Sequence, residues 1–292
     1  MGISRVVYAE LGVADINEAV ALHTDVLGFT ELGREDKVVR LGCGIDGVTD
    51  LRLVEGHSGV HRFGLRVDSA DDIDQYSKRL AEAGIPADRS TDLDPGVVQG
   101  LSFTAPSGHV IELVETVPDV TYQNPATRGA HQTGIRARDF DHITLNAQDP
   151  GALTEFLVAV LDGKVSDIFQ PAPGVVAAAW TRFSQFHHDV AVIGTPDASA
   201  TLHHYALRVD SFEHLGEAAD VLARAGIPVE CGPGRHAVGG NQFCYFWVGS
   251  NRYELSANMS RVDVGEARIW PDFGEAYSSW GLTPPESFSQ GS

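Results

Sequence analysis

The sequence predicts an α+β protein of two sequential domains, each made of two βαβββ modules that curl into an open barrel. Short alternating strands are interleaved with single helices, and the same order runs through both halves. Peptides also return at a fixed offset. Leu65-Arg66-Val67-Asp68-Ser69 recurs as Leu207-Arg208-Val209-Asp210-Ser211, and Ala83-Gly84-Ile85-Pro86 as Ala225-Gly226-Ile227-Pro228, each 142 residues later. Glu112-Leu113 and Glu254-Leu255 keep that offset, whereas Val26-Leu27 meets Val160-Leu161 at 134, so the second half gains about eight residues between Gly163 and Leu202. Register kept over this length marks a duplication.

Taken in order, Val6 to Leu11 reads as a strand, followed by a helix whose stripe is Ala19, Val20, Leu22 and Val26, with Asp15 as its N-cap and a break at Gly28-Phe29. Leu51 to Glu55 alternates as a strand. The second module opens at Phe63 to Val67. Ser69 with Asp72 resembles a capping box for a helix from Ala70 to Ala83, and Gly84-Ile85-Pro86 ends it. Strands follow near Leu101 to Phe103 and Val110 to Val114. The expected division is an N-terminal domain over 1–117 without metal, a linker over 118–138 rich in Pro, Gly, Thr, Asn and Gln, a metal-binding domain over 139–261, and a tail over 262–292. Its Trp, Tyr and Phe content makes the tail an arm packed on the body rather than a free end.

Forty acidic against 21 basic residues give a net charge of −19, which argues against nucleic acid or an anionic membrane as partner. No apolar run reaches membrane-helix length and no signal segment opens the chain, so a cytoplasmic protein is expected. The three cysteines (Cys43, Cys231, Cys244) lack CxxC spacing and read as buried thiols.

The repeat is organised around Leu202 to Val209 of its second copy. Strand alternation puts His203, Tyr205, Leu207 and Val209 on one face, to pack under a helix, and His204, Ala206 and Arg208 on the other. Ile143 and Leu145 mark the packed side of their strand, so His142 points away from it. Tyr253 and Leu255 do the same for Glu254. Two histidines and a carboxylate then converge from three strands, the ligand pattern of non-haem Fe(II) oxygenases. A lone strand histidine is usually structural, but the duplication supplies a control: the first-half counterparts are Tyr8, Arg62 and Glu112. That half keeps the fold and lacks both histidines. Phe186 to Ala191 reads as a strand whose phase does not say whether His187 or His188 points inward. Cys231-Gly232-Pro233-Gly234-Arg235-His236 is a restricted loop able to hold an imidazole, and Tyr245 reads as a core aromatic.

Together, Asp141-His142, His188-Asp189-Val190-Ala191, Leu202 to Leu207, Gly232 to His236, Tyr245 and Tyr253-Glu254-Leu255 resemble the type I extradiol ring-cleaving dioxygenases of the vicinal oxygen chelate (glyoxalase-like) superfamily. The resemblance implies Fe(II), or Mn(II), bound by His142, His204 and Glu254. It implies His188 as acid/base, with His236 and Tyr245 hydrogen-bonding substrate or oxygen. It further implies a catechol and O2 as reactants, a yellow 2-hydroxymuconate semialdehyde-type product and a homo-oligomer. Arylacetate-cleaving members tend to carry an Arg where this chain has Cys231, which favours a neutral alkyl or aryl catechol unless another arginine such as Arg268 substitutes. The alternatives are a glyoxalase- or thiol-transferase-like metal enzyme, whose sites use more carboxylate, and a drug-sequestering binding protein, which would need no metal.

Overall fold

The computed structural model describes residues 2–35, 37–43, 47–91, 94–116, 133–262 and 265–292. The first half runs β1 (Ile3–Val13), α1 (Ile16–Leu22), β2 (Thr30–Glu35), β3 (Val38–Gly42) and β4 (Leu51–Glu55), then β5 (Gly59–Val67), α2 (Ala70–Glu82), β6 (Ala87–Ser90), β7 (Val97–Thr104) and β8 (Val110–Thr116). The second half repeats it with β9 (Asp139–Ala147), α3 (Pro150–Ala159), β10 (Lys164–Phe169), β11 (Ala178–Arg182), β12 (Val190–Gly194), β13 (Leu202–Arg208), α4 (Phe212–Arg224), β14 (Val229–Arg235), β15 (Gln242–Val248) and β16 (Asn251–Ala257).

Each half folds one sheet. The orders are β2-β3-β4-β1-β5-β8-β7-β6 and β14-β15-β16-β13-β9-β12-β11-β10, the latter extended by β17 (Arg268–Trp270) of the tail. In every module the first strand pairs in parallel with the last, as β1 with β4 and β13 with β16, and two modules join antiparallel through their first strands. The predicted caps form: Asp15 accepts from Asn17 and Glu18, and Ser69 from the Asp72 N–H. After α1 a π-helical turn, His23–Leu27, closes on Gly28 at φ 84°, a left-handed conformation that glycine adopts without strain. Of the expected linker, residues 118–132 lie outside the described residues, as does residue 117 before it. Ile135 and Arg136 donate to the carbonyls of Val26 and Leu27, tying the entry to β9 onto that turn.

One apolar cluster draws on both halves, from Leu11 and Phe63 to Leu145 and Leu255. Polar pins cross the same junction. His23 Nε2 lies 2.6 Å from the Tyr253 hydroxyl, Tyr205 donates to the Asp50 carbonyl at 2.9 Å, and Asn251 donates to the Gly12 carbonyl. Residues of the tail pack on the body. Buried Arg252 donates to the carbonyls of Ser287 and Gln290 and pairs with Glu230, holding the final turn across β16. No helix among the described residues is long and apolar enough to cross a membrane.

Candidate metal centre

Strand register assembles the site. Ala206 of β13 stands directly opposite His142 of β9 on one side and Glu254 of β16 on the other, and His204 lies two residues before it on the same face. The three side chains, all buried, meet in a triangle. His142 Nε2 is 3.2 Å from His204 Nε2 and 3.2 Å from Glu254 Oε2, while His204 Nε2 is 3.1 Å from Glu254 Oε2. Metal–ligand bonds of about 2.1–2.2 Å at right angles put neighbouring ligand atoms about 3.0–3.1 Å apart. The triangle therefore has the dimensions of one face of an octahedron, and its imidazole and carboxylate donors suit Fe(II) or Mn(II).

Electrostatics support a cation here. Burial alone pushes the Glu254 carboxyl up, but His142 and His204 pull it well below the usual carboxylate range. Burial opposes charge on His142, yet Glu254 and Asp141 raise it to about 9. Burial lowers His204 to about 4. Without a metal, one proton thus sits on His142 between buried acceptors, where a divalent ion can replace it.

Several contacts orient the trio. Asp141 accepts from His142 Nδ1 at 2.9 Å, and the Asn241 amide donates to Glu254 Oε1 at 2.9 Å. A metal-ligating imidazole held by a carboxylate on its other nitrogen keeps one tautomer and gains basicity. His203 departs from the expected packing. A β-bulge between Leu202 and His204 interrupts alternation, so Leu202 joins Tyr205 and Leu207 in the core. His203 bonds the Phe288 carbonyl at 2.8 Å and His204 Nδ1 at 2.7 Å, supporting the ligand from behind.

His188 points inward. It is buried edge-to-face on His142, with ring centroids 4.2 Å apart, and lines the cavity beside the trio. The expected strand over Phe186 to Ala191 forms only from Val190; His187 and His188 lie in the loop before β12, which frees them from alternation. Burial and the neighbouring His142 and His187 hold His188 well below its ordinary value, so it is neutral.

His236 follows β14 and gives its Nδ1–H to the Tyr277 carbonyl at 2.6 Å. Its Nε2 lies 2.9 Å from the Tyr245 hydroxyl, itself 3.0 Å from Glu254 Oε2, so one phenol proton faces two acceptors. Tyr245 is thus a polar member of the site rather than a plain core aromatic. The tail contributes Phe273, Ala276, Tyr277 and Phe288 to the cavity wall, facing Trp180, Ile193 and Val238. Cys231 lies behind this wall, accepting from the Tyr277 hydroxyl at 3.0 Å. Arg268 stacks on Trp270 and is not among the described residues lining the cavity.

In the first half the equivalent place is filled. Tyr8 donates to Glu112, Arg62 pairs with Glu10 and Glu112, and the Arg52 guanidinium lies 4.3 Å over the Tyr8 ring while pairing with Asp94. Buried arginine there supplies the positive charge that Glu112 and Glu10 require. Sequence reasoning missed Asp167, His187, Asn241 and the cavity residues of the tail. Only the His187-His188 doublet carried a legible signal.

A family model for the Glyoxalase/Bleomycin resistance protein/Dioxygenase superfamily matches residues 5–113 and 139–246, one stretch in each half. The chain belongs to this superfamily. Within it, the chain is 25% identical over 280 residues to a metapyrocatechase of Pseudomonas sp. (strain CF600), spanning 90% of this chain and 87% of that protein. It is 24% identical over 259 residues to the manganese-dependent 2,3-dihydroxybiphenyl 1,2-dioxygenase of Geobacillus genomosp. 3, spanning 83% and 81%. Among solved structures, the 2,3-dioxygenase LapB from Pseudomonas sp. KL28 superposes with a TM-score of 0.82 at 23% identity over 92% of this chain and 98% of that one. Homoprotocatechuate 2,3-dioxygenase from Brevibacterium fuscum superposes with a TM-score of 0.86 at 21% identity over 100% and 93%. These superpositions establish that the superfamily fold runs through both halves.

Proposed function

We propose that the chain is an extradiol dioxygenase, which opens a catechol ring beside its hydroxyls with both atoms of O2 to give a 2-hydroxymuconate semialdehyde-type product. What carries the reading is the buried facial set of His142, His204 and Glu254 at 3.1–3.2 Å spacing, with His188 against it. His142, His204 and Glu254 would hold a metal from one side, leaving the cavity side open to the reactants. The chemistry that bound Fe(II), or Mn(II), supplies is chelation of the catechol and an electron path between it and O2.

The chain's own residues do the rest. His142, His204 and Glu254 hold the metal, oriented by Asp141, His203 and Asn241. Neutral His188 takes a proton from a catechol hydroxyl and later returns it. Tyr245 offers a polar hydrogen and His236 Nε2 an acceptor at the edge of the trio, where a reactant oxygen is oriented. Trp180, Ile193, Val238, Phe273 and Phe288 exclude water and flank the ring. No arginine or lysine is among the described lining residues, which supports a neutral alkyl or aryl catechol over a carboxylated one.

In this reading residues 1–117 are a metal-free scaffold domain, 118–138 the linker, 139–261 the catalytic domain and 262–292 a tail that walls the cavity. Three free cysteines fit a cytoplasmic enzyme, and we expect a homo-oligomer. The test is anaerobic Fe(II) or Mn(II) reconstitution followed by neutral and carboxylated catechols. A yellow product with one O2 consumed per catechol is expected, fastest for neutral alkyl or aryl rings. Metal loading without O2 uptake on any catechol would overturn the reading.

A further inference from the structure

We propose that Asp167 and His187 are positioning residues that fix the tautomer of His188, leaving its Nε2 lone pair as the base toward substrate. The inference rests on the dioxygenase reading above and adds two residues that make no contact with the metal ligands. His187 Nε2 lies 3.0 Å from Asp167 Oδ2, and His187 Nδ1 lies 3.0 Å from His188 Nδ1; all three side chains are buried. A carboxylate accepts only, so the His187 proton belongs on Nε2. His187 Nδ1 is then bare and must accept, which places the His188 proton on Nδ1. His188 Nε2 remains without a hydrogen-bond partner among the described residues, on a ring that lines the cavity. The arrangement follows the general logic by which a buried Asp selects an imidazole tautomer in hydrolytic triads, here transmitted through a second imidazole.

The duplicated half shows that these groups are not requirements of the fold. Ile143 pairs with Val190, as Ala9 pairs with Leu51, so this part of the repeat runs at an offset of 139 (190−51). Asp189 and Asp50 correspond and do the same structural work. Each carbonyl accepts from β9 or β1 at 3.1 Å, and each carboxylate accepts loop N–H groups. The two residues before them differ: His187 and His188 replace Val48 and Thr49. On β10 the offset is still 134, and Asp167 replaces Gly33. A bulge interrupts pairing at the same place in both copies, between Glu31 and Gly33 and between Val165 and Asp167. In the first copy the position just after the bulge is Gly33, with no side chain; in the second it is Asp167, whose carboxylate reaches His187. The metal-free half has thus neither the carboxylate nor the imidazole pair, and the half with the triad has all three. Room for His187 is kept by Gly239 at φ 71°, where an added Cβ would come within 3.2 Å of its Nδ1.

In the step concerned, the catechol O–H breaks and a His188 Nε2–H forms. The resulting imidazolium keeps its Nδ1–H on His187, which Asp167 anchors. Asp167→Asn can instead donate to His187 Nε2, driving the His187 proton to Nδ1 and the His188 proton to Nε2, where it blocks the base.

The test begins with imidazole 15N shifts of labelled, metal-free protein, with the His188 signal assigned by its loss in His188→Gln. The wild type should show a protonated Nδ1 and a bare Nε2 at His188, reversed in Asp167→Asn. In the Fe(II)-loaded enzyme, Asp167→Asn and His187→Leu should lower kcat roughly 10–10³-fold with iron content and anaerobic catechol affinity unchanged. His187→Gln, whose amide oxygen can accept from His188 Nδ1, should recover at least roughly tenfold over His187→Leu. A wild-type His188 protonated on Nε2, or full kcat in Asp167→Asn and His187→Leu, overturns the inference. If a variant does not fold, the wild-type spectrum decides. Correct tautomers in an iron-loaded wild type that cleaves no catechol would sink the dioxygenase reading and leave the tautomer assignment standing.

Discussion

Acidification should unlatch the junction behind the metal site through one histidine. His23 donates its Nδ1–H to the Ala19 carbonyl and accepts the Tyr253 hydroxyl on Nε2, one residue before Glu254. Burial drops its pKa from 6.5 to about 4, the backbone bond only partly opposing. A base whose folded pKa is lowered binds more protons when unfolded, so its contribution is complete above pH 6.5 and is lost as the pH falls toward 4. The fall from 6.5 to about 4 sets a limit of about 3 kcal/mol, of which about 2 kcal/mol is lost by pH 5 and little by pH 7. His23→Gln keeps a donor and an acceptor and cannot titrate. Urea denaturation of both proteins at pH 7 and pH 5 should therefore show the wild type losing about 2 kcal/mol more than the variant. Using the difference cancels the other buried histidines, which titrate in both proteins. Equal losses to within about 0.5 kcal/mol would refute the account of His23.

Three further outcomes test the site. His204→Ala and Glu254→Ala should lose Fe(II) on desalting, while His203→Ala, which removes only the support behind His204, should keep it at saturating metal with affinity reduced roughly 10–100-fold; metal analysis ranks them, and the reverse order of His203 and His204 would refute the strand phase. His188→Phe should retain iron and bind catechol anaerobically while kcat falls roughly 10²–10⁴-fold; full oxygen uptake would remove it from the mechanism. With His142 raised to about 9, metal loading at pH 7 should release one proton and affinity should weaken as the pH falls. Calorimetry in buffers of different ionisation enthalpy measures that proton, and a buffer-independent heat would contradict it.

Much of this was legible along the chain because strands and repeats are periodic. Alternation placed His142, His204 and Glu254 on one surface, and the offsets of 142 and 134 identified which half had gained histidines. Local capping signals at Asp15 and Ser69 also held, since each needs only its own helix. By contrast, period-two reading fails wherever a bulge adds a residue. The bulge after Leu202 turned His203 from the core to the tail, and Asp167, beside the bulge in β10, carried no signal in the sequence for its contact with His187.

By itself, the sequence determined the duplicated βαβββ plan, the three converging donors and the loss of their equivalents in the first half. Each follows from spacing within a strand or between two copies of one pattern. Only the tertiary structure decided that His188 rather than His187 faces the metal ligands, that Asp167 reaches His187 from another strand, that Asn241 steadies Glu254, and that Tyr277 and Phe288 close the cavity. Those contacts join residues in loops, bulges and the tail, where no backbone period fixes side-chain direction and only packing against distant segments sets it.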